Sequence, residues 1–312
     1  MMSVMRRAAA LSACALLALS GCTQAPQEST EATTQSCPLI DAPAAVTDVP
    51  PVTPAAEVGP DYHQRIVALD HTATLTKILI GLGAADNVVG RTVSSGEPQL
   101  ADRPLVTQHG HEVNTEALLA LRPDIVIHDG TMGSLDTIAA AGVRVVEVPL
   151  SRTVATMGQD VRAVAHAVGL DSQGEKLAAA MPEVPSGPSG DPAPRMVFVL
   201  ARGPVFFILG DSTGGLIDAL GGVDVARDAG IHDRVPATAE AFTQLNPDVI
   251  IMMTKGLESI GGVDGLLAKP GVSLTEAGKH RRVLTLPDTD ALAFGPQTGA
   301  MVTAARDQLH QC

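Results

Sequence analysis

The chain has 312 residues, 45% of them hydrophobic but only 2% aromatic, with no Trp, one Tyr (Tyr62) and five Phe. Sugar clamps, methyl-ammonium cages and base-stacking platforms need aromatic faces in numbers, so these binding modes are excluded. A formal charge of -13, from 21 basic and 34 acidic residues, repels phosphate backbones and excludes nucleic acid as a partner. At roughly 100–200 residues per domain, the length suggests two domains.

The first element is an export signal. Arg6 and Arg7 precede an apolar run from Ala8 to Leu19, too short for a comfortable membrane span, which stops at Leu19-Ser20-Gly21-Cys22. Residues 1–21 are therefore expected to be a signal peptide. Leu-Ser-Gly-Cys resembles a bacterial lipobox, which implies a diacylglycerol on Cys22 and a chain anchored to the outer face of the cytoplasmic membrane. Cys14 leaves with the signal, and the oxidising compartment suggests a disulfide between Cys37 and Cys312, two unpaired thiols being the other reading. Residues 22–60 are rich in Pro, Thr, Ala and acid without an apolar period, and are expected to form a disordered tether.

From Arg65 the pattern alternates. Short β-branched runs (65–70, 88–91, 105–107, 125–127 and 145–148) are separated by helical segments (71–83, 115–121 and 134–141), as in a parallel sheet covered by helices. An internal repeat follows: Glu116-Ala-Leu-Leu-Ala-Leu-Arg-Pro-Asp-Ile-Val-Ile127 is echoed by Glu240-Ala-Phe-Thr-Gln-Leu-Asn-Pro-Asp-Val-Ile-Ile251. In each, Pro ends a helix and Asp leads into a strand. Between the halves, 154–181 reads as one long helix weakened at Gly169 and Gly174, followed by a turn-rich loop, 182–194. The expected fold is α/β, with two Rossmann-like lobes joined by a single long helix: an N-terminal lobe over 61–152, the connecting helix over 153–182 and a C-terminal lobe over 183–312. A ligand in the cleft would meet strand C-termini from both lobes.

The lipobox, the repeated Glu-Ala-X-X-X-Leu-X-Pro-Asp and the long connector resemble the class III substrate-binding proteins of ABC importers for siderophores, cobalamin and haem. Val89-Gly90-Arg91-Thr92, Arg202-Gly203, Phe206-Phe-Ile-Leu-Gly210, Leu220-Gly-Gly-Val-Asp-Val-Ala226, Lys269-Pro-Gly271 and Phe294-Gly-Pro296 are similar to the haem-binding HmuT-type lipoproteins. The resemblance runs from about Arg65 to the C-terminus. It implies capture of haem as cargo, with no catalytic cofactor, and delivery to an ABC permease and its ATPase. It also implies iron held between an N-lobe His and a C-lobe Tyr, with an Arg two residues after the Tyr. Arg202 matches that Arg, but Leu200 stands where the Tyr is expected and Gly130 where the His is expected.

Replacement ligands are sought among nine histidines, of which His71, His109, His111 and His128 follow N-lobe strands or open helices. Neutral imidazole ligates haem iron and other transition metals. His128 is the first candidate for an axial ligand and His111 the second. Met132 and Met252 follow strands and could ligate or pack on a haem face; Arg202, Arg91 and Lys255 could pair with its carboxylates. For permease docking, the resemblance points to acidic rim residues, with Glu97 in the N-lobe and Asp224 or Glu240 in the C-lobe as candidates. The missing Tyr keeps a siderophore, a corrin or a metal ion open as cargo, and a partner-binding paralogue without transport is a further alternative. An enzyme is disfavoured, since no Gly-X-Ser-X-Gly, Walker or His-Glu-X-X-His motif occurs.

Overall fold

The computed structural model describes residues 38–203 and 205–310. The signal peptide, Cys22, Cys37 and Cys312 lie outside the described residues. Among those described, no helix is long and apolar enough to cross a membrane.

The segment expected to be a tether is laid onto the body from its first described residues. β1 (Ala44–Ala45) runs parallel to residues 284–285, and Val46 N–H donates to the Thr285 carbonyl at 2.9 Å. Six residues later Val52 is buried in the other lobe, its carbonyl accepting from Gln99 Nε2 at 3.0 Å, and Ala55 N–H donates to Gly81. The disordered reading of 22–60 therefore fails over 38–60. Its apolar residues divide between the lobes: Leu39, Ile40, Val46 and Val49 pack on the C-lobe core, and Val52 and Val58 on the N-lobe core.

The N-terminal lobe is built from β2 (Ile66–Leu69), α1 (Thr74–Gly81), β3 (Val88–Gly90), the hairpin of β4 (Thr107–Gln108) and β5 (Glu112–Val113), α2 (Thr115–Ala120), β6 (Ile125–His128), α3 (Asp136–Ala140) and β7 (Arg144–Glu147). Its four-stranded sheet has the order β3-β2-β6-β7 and is parallel throughout. Continuous apolar runs suit such a sheet because successive side chains enter opposite covered faces. Ile66, Ala68, Ile125 and Ile127 pack on Leu75, Ile78 and Leu79 of α1, whereas Val67, Leu69 and Val126 pack on Leu118 and Ile138 of α2 and α3.

The connector is not one helix. α4 (Met157–Ala167) and α5 (Asp171–Ala180) are separated at 168–170, where Gly169 takes φ +74° and Leu170 N–H turns back to the Ala165 carbonyl. The two helices pack so closely that a Cβ on Gly174 would lie 2.5 Å from Ala165 Cβ. Tyr62 closes the turn by donating its hydroxyl to the Val168 carbonyl at 2.8 Å, and burial pushes its pKa up to about 12. Met157 at the start of α4 lies in the C-lobe core, whereas Val161, Val164 and Leu177 lie in the N-lobe core.

The second lobe contains β8 (Arg195–Arg202), β9 (Val205–Leu209), α6 (Leu216–Ala219), β10 (Val223–Asp224), α7 (Val225–Asp228), β11 (Arg234–Pro236), α8 (Ala239–Leu245), β12 (Val249–Met253), α9 (Thr254–Ser259), α10 (Gly262–Leu267), α11 (Glu276–His280), β13 (Val283–Leu286) and α12 (Thr298–Leu309). Its sheet order is β1-β13-β12-β8-β9-β11 with β10 beside β8; only the β8–β9 and β9–β11 pairs are antiparallel. The sequence repeat maps to α2–β6 and α8–β12. Asn114 and Thr238 cap the two helices by accepting from Ala117 N–H and Ala241 N–H, and Asp124 and Asp248 accept from the first N–H groups of the neighbouring strands, those of Arg65 and Arg195.

Candidate functional site

Residues at strand ends of both lobes act on one another: His71 follows β2, Arg202 ends β8, and both influence His111. β2 ends at Leu69, so Asp70 and His71 are the first residues off the sheet. Asp70 is fully buried and accepts from Ala73 N–H at 3.0 Å and Leu75 N–H at 2.9 Å, which holds Ala73 at φ 64° and starts α1. The aspartate, rather than the threonines after it, therefore satisfies the free N–H groups at this helix start. His71 is fixed on the next residue, its carbonyl accepting from Ser94 Oγ at 2.8 Å.

The β4–β5 hairpin brings His111 to His71, with ring centroids 4.5 Å apart and planes at 67°. Burial lowers the pKa of both: for His71 the positive charge of Arg152 adds to burial, and for His111 the His71 ring and the Arg202 guanidinium add to it. Both imidazoles are therefore biased toward the neutral form that can ligate a metal. Nδ1 of His111 is buried and has no hydrogen-bond partner among the described residues. Arg202 belongs to the C-lobe, at the end of β8, so its influence on His111 crosses the cleft.

Arg152 was not marked by any sequence pattern. It follows β7 and takes φ 51°, a turn held by Asp160 on α4, whose carboxylate accepts from Ser151 N–H at 3.0 Å and Arg152 N–H at 3.1 Å. Its guanidinium forms an ion pair with Asp129, whose side chain is fully buried, and acts electrostatically on Asp70 and His71. The pKa of Asp70 is pushed up to about 6 by burial, opposed by the Leu75 N–H, Arg152 and the Ala73 N–H.

The structure does not gather every candidate. His128 has its Nδ1 engaged by the Gly130 N–H at 3.2 Å and Glu147 as its charged neighbour; its pKa is lowered by burial and raised in part by Glu147. It is paired with Leu69 in register, on the face that packs on α2 and α3. His109 sits at an exposed hairpin tip, 3.3 Å from Glu112. Met132 is 8% exposed in the N-lobe core and Met252 is fully buried in the C-lobe core, so neither thioether is offered to a cleft ligand. Met252 lies within β12, a strand covered on both faces, and Met132 lies on the loop after β6 but turns into the N-lobe core, so neither position after a strand run means facing solvent. Arg91 donates to the Arg103 carbonyl and bridges its own loop.

Two of the three expected docking residues are corrected as well. Glu97 is only 8% exposed and lies 3.7 Å from Lys77, so its carboxylate is not presented to a partner. Asp224 is buried and caps α7 through the N–H groups of Ala226 and Arg227.

The residues that do assemble, two imidazoles with two guanidinium groups, offer nitrogen donors to a transition metal and charged forks to carboxylates. Apolar side chains are exposed on the neighbouring loops and strand: Val93, next to Ser94 and bonded through its N–H to Thr107 Oγ1; Leu105, on the loop before β4; and Val205, the cross-strand partner of Arg202. A planar, metal-bearing, carboxylate-bearing ligand matches this set.

The periplasmic binding protein family model matches residues 66–289. A crystal structure of the heme binding protein HmuT is 42% identical with a TM-score of 0.78, covering 88% of this chain and 98% of that one. HmuT has also been crystallised as alanine variants at a histidine, at a tyrosine, and at an arginine two residues after that tyrosine. The periplasmic heme-binding protein RhuT from Roseiflexus sp. RS-1, in apo form, is 33% identical with a TM-score of 0.69, covering 79% of this chain and 99% of that one. The periplasmic heme-binding protein BhuT, in complex with two hemes, is 28% identical with a TM-score of 0.66 over the same shares. Among curated proteins, no sequence matches the chain.

Proposed function

The chain belongs to the periplasmic binding protein family, and from that premise we propose that it captures haem between its lobes and delivers it to an ABC permease. The observation that carries this reading is the His71–His111 pair, ring centroids 4.5 Å apart, with the charge of Arg202 from the opposite lobe acting on His111. His111 or His71 takes the haem iron from the N-lobe side, Arg202 and Arg152 take the propionates, and Val93, Leu105 and Val205 line the macrocycle. Leu200 offers no donor, so iron is held through histidine alone and not by a phenolate. The lipobox supports export and anchoring through Cys22; a diacylglyceryl group on Cys22 in the mass spectrum of the mature chain tests that part.

The central test is an optical titration with hemin. Wild type is expected to give a shifted Soret band at micromolar hemin. His111→Ala and His71→Ala should each weaken binding at least tenfold, and the double variant should abolish the shift. Arg202→Ala should weaken binding while leaving the band position unchanged. No spectral change in wild type would overturn the reading, and full retention in the double variant would overturn the ligand assignment.

A further inference from the structure

Lys77 lies on the inner side of α1, only 4% exposed, between two carboxylates that belong to different lobes. Its Nζ is 2.6 Å from Asp290 Oδ1, on the C-lobe loop after β13, and 3.7 Å from Glu97 Oε1, on the N-lobe loop after β3. The seam is tight around them: Thr289 Cγ2 would stand 3.6 Å from a Cβ built on Gly96.

The two acceptors are unequally provided for. Asp290 also accepts from Gln297 Nε2 at 3.0 Å and from Thr289 Oγ1 at 2.9 Å, so it keeps donors if Lys77 leaves. Both oxygens of Glu97 are buried without a hydrogen bond of full geometry, and its carboxylate is held by the more distant Lys77 ammonium and its own main-chain N–H alone. A buried acceptor without a donor is costly, and charge-assisted bonds are the ones most strongly missed.

We propose that Lys77 is a two-position latch, holding the lobes together when bonded to Asp290 and releasing them when it passes to Glu97. The exchange needs only a short side-chain swing, because the ammonium already stands between its partners. A cavity of about 210 Å3, lined by Pro50, Lys77, Glu97, Asp290 and Gln297, provides the room for it. Burial pushes the Glu97 carboxyl above its ordinary range against the pull of Lys77, so the cation already acts on it more weakly than a close pair would. Opening then costs the difference between two ion pairs and not the loss of one.

The latch is tested without hemin, so its failure is separable from failure of the haem reading. Amide hydrogen exchange is followed by mass spectrometry at 94–97 and 288–291 in wild type, Glu97→Gln and Asp290→Asn. With the competing acceptor neutralised, Glu97→Gln should exchange at least tenfold more slowly across the seam. Asp290→Asn should exchange at least tenfold faster, with its circular dichroism unchanged. Faster exchange or no change in Glu97→Gln would overturn the proposal, since a purely structural brace weakens when either carboxylate is removed. If Asp290→Asn fails to fold, the sign of the Glu97→Gln effect decides alone.

Discussion

The main-chain N–H of Arg65 donates to Oδ2 of Asp124 at 2.7 Å, and the same bond, at 2.9 Å, joins Arg195 to Asp248 in the other lobe. Each arginine also reaches back with Nη2 to the carbonyl of the leucine near its helix end, Leu121 or Leu245, at 2.7 Å. Pro-Asp in the repeat is thus a staple between a helix end and two adjacent strands. Asp124→Ala and Asp248→Ala are expected to cost about 1–2 kcal/mol each, additively, as measured by urea unfolding. A markedly unequal pair would show that the two staples are not equivalent.

Asp70 makes stability depend on pH in an unusual direction. In the unfolded chain it loses its proton near pH ~3.9, whereas in the folded chain burial holds the proton up to about 6. Between these values the folded state binds more protons than the unfolded state, so stability falls as pH rises. The loss is on the order of 2–3 kcal/mol and complete above pH ~6. Asp70→Asn should flatten this fall when urea midpoints are compared from pH 4 to 7. A residual fall should persist, because Glu97, Asp160 and Asp224 are raised by burial with the same sign.

Hemin affinity should run the other way. Protons compete with iron for imidazole, and the lowered pKa values of His71 and His111 keep both rings neutral to below the ordinary histidine range. Optical titrations should give a constant affinity from pH 8 to about 6.5 and a decline below. A decline beginning above pH 7 would contradict the assignment of these rings as ligands.

Restoring the residues expected from the family resemblance should have opposite outcomes at the two positions. Leu200 lies one pleat inside Arg202 on the same face of β8, so Leu200→Tyr puts a phenol toward the cleft. It should tighten hemin at least tenfold and add a phenolate-to-iron band in the visible spectrum. Gly130 has φ +80°, and a Cβ there would stand 3.1 Å from Glu147 Oε1. Gly130→His should therefore cost about 1–2 kcal/mol by thermal unfolding without improving hemin affinity.

The alternating sheet pattern, the repeat and the convergence of strand ends were legible because apolar periodicity and Pro-Asp punctuation are local properties. The pairing of His71 with His111 was legible only as a shortlist, since it depends on a hairpin placed by tertiary contacts. Arg152 gave no signal: its role comes from Asp160 on α4 holding the turn, and from the burial of Asp129, neither encoded nearby. Met252 misled because a residue at the end of a central strand reads the same whether its face is covered or open. Gly169 was noted as a weak point in a helix, but the close approach of Gly174 to Ala165 turned weakness into a reversal.

The described chain starts and finishes on the same lobe: Ile40 N–H donates to the Leu309 carbonyl at 3.0 Å, and Leu39 bridges His310. The N-lobe is in effect a loop drawn out of the C-lobe and returned to it, crossing first between Val46 and Val52 and again beyond Met181. Tension applied at residue 38 would load β1 against β13 lengthwise, so that several bonds resist together before any force reaches the cleft. A pull on the first described residues is thus taken up along the β1–β13 edge of the C-lobe.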